Sequence, residues 1–160
     1  MSEQEGIKEA VVLSTCNRTE IYAVLKDEED KEKLYHFFLT LSGNSKAEKE
    51  YFFFYTGTEC IRHLFQVVSG LDSMVLGESQ ILNQIKTAYT GALAVHATRT
   101  ILNTLFHRAI TTGKRVRTET RISTSAVSVS YAAVKMAEKI LGSLEGKKAL
   151  VFGAGDAAEL

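Results

Sequence analysis

A chain of 160 residues, 45% hydrophobic, with 19 Lys+Arg against 19 Asp+Glu, has apolar material for one good core or two small ones and is no disordered polymer. Its two cysteines exclude a disulfide scaffold, and no apolar run approaches the roughly 20 residues that a membrane helix needs. With no basic-then-apolar leader, the expected setting is a reducing compartment, the cytoplasm or an organelle stroma, without a membrane partner. The neutral total hides an asymmetry: residues 1–60 carry 7 Lys+Arg and 12 Asp+Glu, while residues 61–160 carry 12 and 7.

In chain order, residues 11–15 and 20–25 are rich in Val, Ile, Leu and Tyr and predict two half-buried strands joined by a turn at Cys16–Thr19. That turn sets a thiol beside Asn17 and Arg18. A thiol reacts as thiolate, so a guanidinium or turn N–H groups aimed at the sulfur would raise its reactive fraction at neutral pH. Arg18 has a second use open to it, as a two-pronged clamp for a substrate carboxylate. The plainer alternative also stands, because free cysteine often packs as a small hydrophobe and Asn and Thr are ordinary turn formers.

Leu34, Phe37, Phe38 and Leu41 are at helical spacing and predict a helix over 31–41; Glu50–Tyr55 reads as an aromatic strand ending at Thr56-Gly57. Thr58 is then the expected N-cap of a helix striped by Ile61, Leu64, Phe65 and Val68. The connection that follows places Ser69, Asp72, Ser73, Glu78 and Gln80 close together, and binding residues are commonly mounted on such loops. Capping and turn formation account for much of the same pattern. His63 is the histidine next to this loop; a helical histidine is more often structural, yet it is also the usual proton carrier near pH 7.

Behind Ser79, the spacing of Ile81, Leu82, Ile85, Ala88 and Tyr89 predicts a third helix. A fourth has Leu105, Phe106, Ala109, Ile110 and Val116 on its apolar side and Lys114, Arg117 and Arg121 along another, a stripe that suits either phosphates or water. Val127, Tyr131, Val134 and Ile140 behind Thr124 predict a helix over 125–141, closed by Gly142. After a link at 143–148, Ala149–Phe152 reads as a buried-type strand running into Gly153-Ala154-Gly155-Asp156-Ala157-Ala158, where glycines would let the backbone approach a pyrophosphate. No metal-ligand set is read from the chain.

Three long motifs, in this order, resemble one family, glutamyl-tRNA reductase: Ser14-Thr15-Cys16-Asn17-Arg18-Thr19-Glu20, then Ser69 through Ile81, then Lys114-Arg115-Val116-Arg117-Thr118-Glu119-Thr120. Ser125-Ala126-Val127-Ser128-Val129 and the glycine turn extend the likeness over nearly the whole chain. The resemblance implies that Cys16 is a nucleophile that takes glutamate from glutamyl-tRNA as a thioester, which NADPH then reduces to glutamate 1-semialdehyde, the first step of the five-carbon route to tetrapyrroles. It implies further that Thr15, Asn17, Arg18, Ser73, Glu78, Ser79, Gln80 and Gln84 form the glutamate site, that His63 is important for activity, and that Gly153, Ala154, Gly155, Asp156, Ala157 and Ala158 are the start of an incomplete cofactor site. The partners implied are glutamyl-tRNA, a second copy in the complete enzyme and the following aminomutase, in the cytoplasm or, in a plant, the plastid stroma.

The fold so implied is α+β: a ferredoxin-like catalytic domain with a helical extension over 1–122, a connecting helix and linker over 123–148, and the first strand and turn of a truncated Rossmann domain over 149–160. Relative to the family pattern, the opening strand and helix before the cysteine strand are expected to be missing, Ser79 stands where proline is common, and the dimerisation region is absent. A missing strand would leave an unpaired sheet edge, which invites self-association. Two alternatives carry different predictions: a non-catalytic tRNA-binding or regulatory module on the same fold, and an ordinary dinucleotide enzyme of other specificity.

Overall fold

The computed structural model describes residues 6–43, 48–78, 80–120, 122 and 129–150. Its only strands among these residues are β1 (Ile7–Ser14) and β2 (Thr19–Leu25), an antiparallel hairpin whose register runs from Ser14 opposite Thr19 to Ile7 opposite Leu25, with one irregularity between Ile7 and Glu9. Alternate side chains of a strand share a face, and here Val11, Leu13 and Tyr22 enter the same core. The helices are α1 (Asp30–Ser42), α2 (Thr58–Val68), α3 (Gln80–Ala94), α4 (Thr100–Glu119) and α5 (Val129–Leu141).

Apolar stripes of three helices close over the hairpin: Leu64, Val67 and Val68 from α2, Ile81, Leu82, Ile85 and Tyr89 from α3, and Leu102, Phe106 and Ala109 from α4. Phe106 is the centrepiece, meeting Tyr22 edge-on at 5.5 Å and stacking on Tyr89 at 5.4 Å between ring centroids. Gly113 lets α4 approach α2 closely. A Cβ there would lie 2.8 Å from the Val68 carbonyl oxygen.

Glu9 ties the hairpin to α4. Its carboxylate, 5% exposed, accepts N–H hydrogen bonds from Arg99 at 2.8 Å, Ile101 at 3.1 Å and Leu102 at 2.8 Å. These are among the amides that a helix start leaves without an intrahelical partner, and a negative charge there also suits the helix dipole. The side chain thus caps a helix about 90 residues away, at the place where the chain itself offers Arg99, a residue with no side-chain capping bond.

The hairpin and the helices 58–68, 80–94 and 100–119 agree with the expected elements, and the α+β class holds. Several expectations are corrected. Glu50–Tyr55 is not a paired strand: a 3-10 turn over Lys49–Tyr51 leads into extended backbone that joins no ladder among the described residues. Its aromatic composition favours extension, but a strand also needs a neighbouring edge. Thr58 is the first helical residue rather than the N-cap, which is Gly57 at φ 54, and Ile61 is 45% exposed. Of the 125–141 helix, residues 129–141 are observed, with Gly142 at φ 75 beyond the last turn. Ala149 and Leu150 belong to no strand, while Val151, Phe152 and the glycine turn lie outside the described residues.

Candidate active site

The turn between β1 and β2 is built by Thr15. Its N–H donates to the Arg18 carbonyl at 2.8 Å, and its hydroxyl accepts the N–H groups of Asn17 and Arg18 at 3.2 and 3.1 Å. This arrangement is an ST-type turn in which a short hydroxyl stands in for a backbone acceptor. Cys16 sits on it, exposed to solvent. The sulfur is therefore available to a large substrate rather than sealed in the core.

Arg18 points along the hairpin into a chain of charges. One guanidinium nitrogen, Nη1, donates to Glu20 Oε1 at 2.9 Å and to Asp72 Oδ2 at 2.9 Å, and Nη2 donates to the Asp72 carbonyl oxygen. Glu20 Oε1 also meets His63 Nε2 at 2.9 Å, and its other oxygen accepts the Tyr22 hydroxyl at 2.6 Å. Burial works against the Arg18 charge, but the two carboxylates more than offset it and raise its pKa. For Glu20, burial acts upward and is outweighed by hydrogen bonds from His63 and Tyr22, the His63 charge and Arg18, so the carboxyl is held below its ordinary range. The ring of Tyr55 lies 5.0 Å from that of His63.

These groups border a groove of about 740 Å³ lined by Asn17, Arg18, Glu20, His63 and Asp72 together with Tyr35, Phe38 and Phe52. Cys60 lines it as well; burial and the Glu20 charge push its thiol pKa up. The loop carrying Asp72 is pinched at its base. Gly70 at φ 73 and Gly77 at φ 79 face each other, and the Gly77 N–H donates to the Gly70 carbonyl at 2.9 Å.

Of the residues assigned from sequence, the structure gathers Asn17, Arg18 and His63 on the groove, with Thr15 and Cys16 on the adjoining turn. Ser73 is half-buried on the pinched loop, and its hydroxyl has no hydrogen-bond partner among the described residues. Gln80 is exposed and Gln84 half-buried one turn apart on α3, and neither lines the groove. Glu78 is half-buried and gives its carbonyl to Arg117 Nη2 at 2.7 Å. The basic stripe is thereby broken, since Arg117 turns inward while Lys114 is exposed; Arg121, Ser79 and Gly153–Ala158 lie outside the described residues. Glu20 was not assigned from sequence as a site residue, and Asp72 was singled out only as one of several polar groups on the loop after α2. Glu20 left a signal, a carboxylate two positions from Tyr22 and so on the same inward strand face, whereas nothing local marks Asp72 as the partner of a residue 54 positions earlier.

The model of the family described as "Glutamyl-tRNAGlu reductase, N-terminal domain" matches residues 1–120. The chain belongs to the glutamyl-tRNA reductase family. It is 50% identical to the glutamyl-tRNA reductase of Desulforudis audaxviator, over 100% of this chain and 36% of that protein, and 51% identical to that of Pelotomaculum thermopropionicum, over 96% and 35%. The solved glutamyl-tRNA reductase from Methanopyrus kandleri superposes with a TM-score of 0.65 at 43% identity, covering 94% of this chain and 35% of that one. The chain thus spans about a third of the length of these relatives. No helix among the described residues is long and apolar enough to cross a membrane.

Proposed function

We propose that this chain carries the thiol and the glutamate site of an NADPH-dependent reductase that acts on glutamyl-tRNA at the entry to tetrapyrrole (haem) biosynthesis. Cys16 attacks the ester carbonyl joining glutamate to the tRNA ribose. A sulfur–carbon bond replaces the carbon–oxygen bond, the ribose hydroxyl leaves with a proton, and a glutamyl thioester remains on the protein. A thioester is a better hydride acceptor than an oxygen ester, so the thiol divides one hard step into two easier ones. NADPH, when bound to the complete enzyme, supplies the hydride that gives glutamate 1-semialdehyde.

The observation that supports this reading is the exposed Cys16 on a turn fixed by Thr15, next in the chain to residues lining a groove that holds one cation and one imidazole. Arg18 grips the substrate carboxylate, and Glu20 orients both Arg18 and His63. The hairpin and helices form part of a ferredoxin-like catalytic domain over 1–122, joined through 123–148 to the start of a Rossmann domain over 149–160. Homodimerisation and hand-over to an aminomutase belong to the complete enzyme.

Mixing the protein with radiolabelled glutamyl-tRNA should leave label on Cys16 that disappears in Cys16→Ser. Label that persists in Cys16→Ser, or no label on the folded complete enzyme, would overturn the mechanism. Thiol reactivity separates this reading from a non-catalytic tRNA-binding module. Cys60 is held protonated by burial and by Glu20, so iodoacetamide at pH 7 should modify the exposed Cys16 at least about tenfold faster, as mass mapping of the peptides would show. Equal, slow rates would favour the binding module.

A further inference from the structure

We propose that Asp72 is an internal stand-in for the substrate carboxylate: it occupies the Arg18 fork in the unliganded protein and swings away when substrate arrives. The inference rests on the reading above, in which Arg18 grips glutamate. In an ester-linked glutamate the α-carboxyl is the reacting carbonyl, so the carboxylate left to grip is that of the side chain. The Arg18 fork presents two nitrogens in the geometry that takes a carboxylate. In this structure Asp72 fills both, one with Oδ2 at 2.9 Å and the other with its own carbonyl oxygen.

Exposure shows which partner gives way. The side chains of Arg18 and Glu20 are 10% and 18% exposed, and Glu20 is further tied to His63 and Tyr22. That of Asp72 is 53% exposed. The loop bearing Asp72 is closed at its base by the Gly77-to-Gly70 hydrogen bond, and both glycines have positive φ, so residues 71–76 can move as a flap while their ends stay fixed. When the flap leaves, Arg18 keeps Glu20 and exchanges one carboxylate for another. The guanidinium is never left half-buried without a counter-charge, and its occupied fork rejects anions that bind more weakly than Asp72. The cost is affinity: every ligand of Arg18 must first displace Asp72.

A suitable probe is L-isoglutamine, whose α-amide imitates the ester carbonyl and whose side-chain carboxylate is free; glutaminamide is the control. By calorimetric titration, Asp72→Asn should bind isoglutamine about two- to fivefold more tightly than the native protein, the range set by an exposed ion pair. Asp72→Glu should restore native affinity, and glutaminamide should stay weak in all three. Addition of isoglutamine to the native protein should also speed amide hydrogen exchange at Leu71, whose N–H donates to the Gln66 carbonyl at 3.0 Å, and in Asp72→Asn that exchange should already be fast. A structural defect cannot tighten binding, so equal or weaker binding by a folded Asp72→Asn protein overturns the inference while leaving the substrate reading intact. If isoglutamine binds neither protein, the Arg18 grip fails and the inference falls with it.

Discussion

Glu20 spreads one negative charge over three donors, and the fold therefore prefers it ionised. Because its pKa is lowered in the folded chain, the stabilisation is complete above the unfolded glutamate value of about 4.3 and is lost as pH falls below it. Glu20→Gln should cost about 1–3 kcal/mol at pH 7, since it leaves donors around it poorly matched. It should also flatten the fall of Tm between pH 5 and pH 3, measured by thermal melts in a buffer series; an unchanged slope would argue against the network. Tyr22 adds a second constraint. Burial and the Glu20 charge raise its phenol pKa far out of reach, so it remains a neutral donor to that carboxylate.

Between elements, α4 approaches α2 tightly at Gly113. Alanine is the better helix former by about 1 kcal/mol, but its methyl would meet the Val68 carbonyl at 2.8 Å and the Val68 side chain at 2.9 Å. Backbone cannot yield as a side-chain tip does, so the clash wins. Gly113→Ala should destabilise by about 1–3 kcal/mol, read as a lower denaturant midpoint; a gain would mean that the helices separate freely. The hairpin was legible because its signal is local, two short runs rich in Val, Ile, Leu and Tyr on either side of a four-residue turn. The cap that Glu9 provides to α4 was not, because no spacing rule links residues 9 and 101.

The molecule as a whole presents an open edge and an aromatic surface together. Among the described residues β2 is paired only with β1, and Tyr51, Phe53, Phe54 and Tyr55 are 71%, 85%, 50% and 45% exposed. Unpaired edges and contiguous apolar patches both favour association. The apparent mass in light scattering should rise with concentration, and Phe53→Lys, at the most exposed of these positions, should reduce that rise without lowering Tm. A monomeric profile throughout would refute the expectation.

By itself the sequence determined the class of the fold, the thiol-bearing turn and the family. These depend on side-chain periodicity and on residues adjacent in the chain, as in Ser14–Glu20, where Thr15 supplies the hydroxyl that shapes the turn. Only the tertiary structure decided what Arg18 does with its charge, that Arg117 turns toward the Glu78 carbonyl, and that residues 52–55 join no ladder among the described residues. Each of those depends on a partner brought near by packing of the core, and a guanidinium or an extended segment carries no local mark of the group it will meet.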